Sequence, residues 1–193
     1  MSAAPDLRLG IDCATSYLAI AVVSPTAGVL ASAAEDVGRA HAAQLLDALT
    51  SLLAGAGVAK HDIGMIGVGV GPGSYTGVRV AVASATGLSS ALGVPLAGVS
   101  SLVALAGYHA DMGEEIVAVS DARRGNCYAQ RLRRSPTPEW LARYQELDEP
   151  RKLAREALAV TYPGLRQVEG VAPDAAAVAW AATPGREVSP YYL

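Results

Sequence analysis

The hydrophobic pattern changes period several times along the chain, and each change marks a predicted element. "LRLGIDCA" (7–14), "YLAIAVV" (17–23) and "GVLASAA" (28–34) are short apolar runs with brief breaks at Thr15-Ser16 and Pro25-Thr26. Runs of this kind predict strands, and breaks this short predict an antiparallel meander. Over 40–57 the period becomes helical, with Ala42, Leu45, Leu46, Leu49, Leu52 and Leu53 recurring before Gly55 and Gly57 end the helix. "IGMIGVGV" (63–70) predicts a strand whose glycines imply a close approach over its surface. A turn at 71–74 leads to a helix over 75–92, stopped by Gly93 and Pro95.

"LAGVS" (96–100) predicts a short strand, and 101–110 a helix capped by Ser100 or Ser101. The clearest hairpin is 115–134, two strands around "ARRGN". Beyond it, 150–159 and 173–182 predict helices with proline near the first turn, and "LRQVEG" between them predicts a strand. The order βββ-α-β-α-β-α, followed by a smaller similar start at 116–134, predicts a duplicated α/β lobe with mixed sheets and flanking helices. The division expected is a first lobe over 1–110 and a smaller second lobe over 111–193, whose C-terminal segment returns to the first.

Composition narrows the classes. The chain has 193 residues, 51% of them hydrophobic, and a net charge of −3. That balance argues against a domain that grips nucleic acid alone. Cys13 and Cys127 stand apart, as buried reduced thiols of a cytosolic protein do. Asp6, Arg8 and Asp12 interrupt the N-terminal segment, so no signal peptide is expected. No run of about 18 apolar residues occurs, so no membrane span is expected either. The location expected is cytoplasmic.

The stretch "GVGVGPGSYTGVRVAVASATGL" (67–88) invites a phosphate-loop reading. A Walker loop needs a lysine that reaches the phosphates, and none follows Gly77. Gly71, Gly73 and Gly77 sit between a strand and a helix, as dinucleotide loops do, but "LAGVSSL" (96–102) lacks the acidic residue for the ribose. A sharp turn through Gly71, Pro72 and Gly73, with Ser74 capping the next helix, accounts for the pattern better. That helix has one charge, Arg79, in eighteen residues, which is not the composition of a surface helix. Val78, Val82, Ala85, Leu88 and Leu92 cover one face, expected on the sheet. Gly77, Ala81, Ser84 and Ala85 are small enough for close approach by the 40–57 helix or another protein.

Asp12 ends a strand before Thr15 and Ser16. Such a carboxylate either holds a metal-bound phosphate or closes an ordinary turn. His41, His61 and His109 form no metal spacing, and Ser74 lies in no nucleophile elbow. Arg123, Arg124, Arg131, Arg133 and Arg134 straddle the hairpin, either as an RNA or acidic-partner contact or as a solvated face.

Taken together, "RLGIDCATSYLAIAVV", "AHAAQLLDAL", "GVGPGSYTGVRVAVASATGLSSALGVPLAGVSSL" and "VSDARRGNCYAQ" resemble the TsaB (YeaZ) family over roughly residues 7–132, with an echo of its P-x-Y-L ending in "SPYYL". The resemblance implies an actin-like, Hsp70-like, sugar-kinase-like ATPase fold with two ribonuclease H-like lobes, the second abbreviated. It implies the non-catalytic dimerisation subunit of the machinery that makes threonylcarbamoyladenosine in tRNA. TsaD is then the catalytic partner, TsaE joins a larger complex, the chain pairs with itself when alone, and tRNA is met through the complex. Asp12, Thr15 and Ser16 become a degenerate phosphate loop, with no required cofactor or metal and only weak residual nucleotide binding. The partner interface implied is His41, Leu45, Leu49, Leu52, Gly77, Val78, Arg79, Ala81, Val82, Ser84 and Ala85. Peptidase chemistry, suggested by the older name glycoprotease, finds no support in these residues. The rival reading is an independent actin-like ATPase or small-molecule kinase, for which Asp121 is the one obvious second carboxylate.

Overall fold

The computed structural model describes residues 6–136 and 143–191; the last two residues of the "SPYYL" ending lie outside it. Three antiparallel strands open the chain: β1 (Leu7–Asp12), β2 (Tyr17–Ser24) and β3 (Gly28–Asp36). Helix α1 (His41–Gly55) follows, then β4 (Ile63–Gly69), α2 (Tyr75–Leu92), β5 (Leu96–Val99) and α3 (Ser101–Ala106). The first sheet has the order β3-β2-β1-β4-β5, with β4 parallel to β1 and β5 parallel to β4.

A second sheet repeats the plan. Strands β6 (Glu115–Asp121) and β7 (Asn126–Arg134) form its antiparallel hairpin, and β8 (Tyr144–Glu146) and β9 (Arg151–Ala154) both pair antiparallel with β7. After α4 (Leu158–Thr161), β10 (Arg166–Val168) lies parallel to β6. In this second sheet β6, β7 and β10 therefore take the places of β1, β2 and β4, which makes it a shortened copy of the first. Paired mixed sheets with this strand order, flanked by helices, are the duplicated ribonuclease H-like lobes of the actin-like fold.

Side-chain size along β2 explains the layering. Leu18, Ile20 and Val22 pack with Leu45, Leu49 and Leu53 of α1 and Ala81 and Ala85 of α2. The alternate residues Ala19, Ala21 and Val23 pack against Ala175, Ala176, Ala179 and Trp180 of α5 (Ala175–Ala181). Both faces of the strand are covered, so its apolar run is continuous. The α5 side is lined by small residues because the helix backbone comes very near. A Cβ at Gly10 would strike the Ala175 carbonyl, and one at Gly67 would crowd that of Val178. The close approach predicted from the β4 glycines is therefore made by α5 at Gly67, and by the Asp12 carboxylate and the Ser101 hydroxyl at Gly69. Together with α3, which packs on β6, this helix lies between the two sheets.

Two expectations are corrected. Residues 150–159, read as helix, instead begin as β9, paired with β7 from Asn126↔Ala154 to Ala129↔Arg151, before a helical turn starts at Arg155. Their helix-forming composition is a weak preference, and completing the ladder on β7 outweighs it. The helix predicted over 101–110 ends at Ala106, where Gly107 adopts a positive φ of 44°.

Candidate functional site

Between the lobes lies a cleft of about 1080 Å³. The first lobe lines it with the β1–β2 turn (Thr15, Ser16), Arg39, His41 and the start of α2; the second adds Ser120 to Arg123, Tyr128 and Glu169 to Val171. The sequence readings at 12–16 and 71–74 thus meet at one wall, while most of the opposite wall was not anticipated. Only the D-A-R-R-G-N turn signalled it.

The glycine turn is built to sit on the β1–β2 turn. Ser74 donates its backbone N–H to the Ala14 carbonyl at 2.7 Å, and its hydroxyl caps α2 by accepting the Gly77 N–H at 3.3 Å. A Cβ on Gly73 would overlap the Ala14 carbonyl, and one on Gly77 the Cys13 carbonyl. The glycines therefore bring two protein segments together. Gly71 has a φ of 89°, and its N–H donates to the Ser101 hydroxyl at 3.0 Å.

Asp12 lies beneath this wall with no exposed surface. Its Oδ1 accepts the Ala14 N–H at 2.9 Å, while Oδ2 sits beside the Ser101 hydroxyl without a well-formed hydrogen bond. Burial pushes its pKa up to about 6, against smaller opposing effects of Ser101, the Ala14 amide and His41. Thr15 Oγ1 accepts the Tyr17 N–H at 3.1 Å, so it serves the turn, and Ser16 is exposed. Asp121 is exposed on the second lobe, its Oδ1 accepting the Arg123 N–H. Among the described residues, no three His, Cys, Asp or Glu side chains cluster as metal ligands would.

The predicted interface divides sharply. Leu45, Leu49, Gly77, Val78, Ala81 and Ala85 are buried inside the lobe, most of them between helices and sheet. His41 is buried too, its Nε2 3.1 Å from the Tyr17 carbonyl, and so anchors α1 to β2. None of these seven offers a surface to a partner, which corrects their assignment. Helical geometry turns the residue at i+4 from Gly77 onto the sheet side, so Ala81 and Ala85 fall there and not on the outer face. Leu52, Val82 and Ser84 are partly exposed, and Arg79 is exposed with its guanidinium on Tyr75, 2.6 Å from the hydroxyl and 5.2 Å from the ring centre. The outer stripe of α2 is Arg79, Ala83, Thr86 and Ser90, all exposed.

The hairpin arginines are largely occupied. Arg131 and Arg133 both pair with Glu115, and Arg134 is buried, 3.4 Å from the Ala110 carbonyl and stacked on Tyr108. No helix among the described residues is long and apolar enough to cross a membrane.

The family model described as TsaD, tRNA N6-adenosine threonylcarbamoyltransferase, matches residues 16–172. Curated relatives carry the name TsaB: the Bacillus subtilis protein is 37% identical over 62% of this chain and 52% of its own length, and the Escherichia coli protein 31% identical over 68% and 57%. The chain belongs to the TsaB (YeaZ) family. Both of those TsaB relatives are described as tRNA threonylcarbamoyladenosine biosynthesis proteins, and the alignments span somewhat over half of their length. YeaZ from Pseudomonas aeruginosa superposes with a TM-score of 0.76 at 24% identity, covering 97% of this chain and 100% of that one, which shows the shared TsaB fold.

Proposed function

We propose that the chain is a non-catalytic, partner-binding subunit in the formation of threonylcarbamoyladenosine in tRNA, docking TsaD through α1 and α2 and meeting tRNA and TsaE only through that complex. The observation that carries this reading is the outer surface of the two helices. Over α1 and α2 the only charged residues are Asp47 and Arg79. Leu46 and Tyr75 are each 58% exposed, and Ala43, Thr50, Ala54, Ala83, Thr86, Gly87 and Ser90 add exposed small or uncharged positions around the lone charges Asp47 and Arg79. Apolar exposure of this kind is costly in water and is relieved by association. An exposed Tyr–Arg pair at its edge supplies the residue types that dominate interface energetics.

An independent ATPase or kinase would work at Asp12, Thr15 and Ser16. The full burial of Asp12 and the use of Thr15 in the turn favour the subunit reading. The test is co-purification of the full chain with TsaD from the same organism, alongside ATP turnover by the chain alone. Capture of TsaD and negligible turnover are expected. Turnover abolished by Asp12→Ala, without TsaD capture, establishes the kinase-like reading instead.

A further inference from the structure

We propose that the groove between β3 and α1 receives an extended, cationic segment of a partner protein, which continues the first sheet beyond β3 and lays an arginine or lysine side chain into the groove. Strand β3 is the edge of its sheet, bonded only to β2 among the described residues. Edge strands present a row of free N–H and C=O groups that template a further strand. Register with β2 shifts where Val22 faces Ala31 and Val23 faces Val29, so Leu30 is bulged out of the ladder. A bulge discourages pairing locally. The regular, available edge is therefore Ala31 to Asp36.

That segment borders a groove of about 340 Å³. Its floor is apolar, formed by Leu18, Ala33, Ala48 and Leu52, and its rim carries Glu35 and Asp47. Neither carboxylate has an ion-pair partner among the described residues. An apolar floor under two unpaired acids suits the aliphatic stem and charged head of arginine or lysine. The strand itself, Gly28–Asp36, contains no basic residue, so a second copy of β3 cannot supply that side chain. The groove adjoins the proposed TsaD surface at Asp47, one helical turn from Ala43 and Thr50, but its remaining α1 lining, Gln44, Ala48 and Ser51 at i, i+4 and i+7 with Leu52, forms the flank beside β3.

The test is an NMR titration of the isotope-labelled full chain with two capped heptapeptides, one alternating valine with arginine and one valine with glutamate. The arginine peptide is expected to shift the amides of 31–36 and Asp47 saturably, and the glutamate peptide to shift none of them. Glu35→Lys, an exposed change that leaves the core untouched, should weaken the arginine peptide about fivefold, the scale of one partly exposed ion pair. Thr86→Arg, on the proposed TsaD surface, should leave it unchanged, which separates failure here from failure of the subunit reading. Equal response to both peptides, shifts confined to the cleft at Thr15 and Ser120, absence of saturable shifts, or indifference to Glu35→Lys would each overturn the proposal. So would concentration-dependent shifts at 31–36 without peptide, which would make the occupant a second copy.

Discussion

The backbone N–H of Ser74 lies 2.7 Å from the carbonyl oxygen of Ala14, so the start of α2 is tied to the turn after β1. In a phosphate-binding enzyme the amides at such a helix start would be turned to the ligand. Here the Ser74 amide is spent on another loop of the same protein, and Gly73 and Gly77 supply the clearance that this close packing needs.

Gly77→Ala should therefore be destabilising despite placing a better helix former in α2. The added methyl meets the Cys13 carbonyl, a backbone atom that no rotamer change can move. Overpacking of this kind costs about 1–3 kcal/mol. Gly87→Ala, in the same helix with nothing within 4 Å of the added Cβ, should instead gain up to about 1 kcal/mol. Paired urea titrations check the opposite signs; equal shifts would refute the packing argument.

Asp12 should make stability fall as pH rises. Below the ordinary carboxyl value of 3.8 it is protonated in both folded and unfolded chains. Between there and about 6 the unfolded chain releases the proton while the folded chain retains it, so this contribution is lost as pH rises through 6. Asp12→Asn removes that dependence, and at pH 8 the variant should be more stable by about 1–3 kcal/mol. Denaturant unfolding of both proteins at pH 4, 5, 6 and 8 measures this. A difference that stays constant with pH would show that Asp12 does not titrate in this range.

On the proposed TsaD surface, Ala83→Arg and Thr86→Arg place a long charge on the exposed stripe of α2, where the monomer has room for it. Both should melt like the parent and lose TsaD capture at least tenfold, since a buried interface would have to desolvate an unpaired charge. Ala81→Arg is the wrong probe, because Ala81 is fully buried and the change should unfold the lobe. Retained capture by both surface variants would place the interface elsewhere.

Direct tRNA binding by the chain alone should be weak and only shallowly salt-dependent, because Glu115 neutralises Arg131 and Arg133 and leaves few phosphate contacts. Each phosphate contact adds to the salt slope. Glu115→Gln frees two guanidinium groups, so tRNA affinity at low salt should rise and its salt dependence steepen. Filter binding across a salt series checks it; tight binding by the parent at physiological salt would contradict the neutralisation.

Local pattern was enough for much of this protein. The meander of β1 to β3, the span of α2, the Ser74 cap and the turn at Arg123–Gly125 follow from periodicity and turn chemistry that act over a few residues. So does the duplicated plan, because the alternation of strands and helices is itself written along the chain. Tertiary structure alone decided three things. It decided that 151–154 would pair with β7 as a strand, because a ladder partner outweighs a weak helical preference. It decided that α5 would lie against Gly10 and Gly67, because only folding brings those backbones together. Last, it decided which residues of α1 and α2 face outward. Both helices are apolar nearly all round, so periodicity could not distinguish the face on the sheet from the face left open, and Ala81 and Ser84 looked alike until the sheet covered one and left the other at the edge.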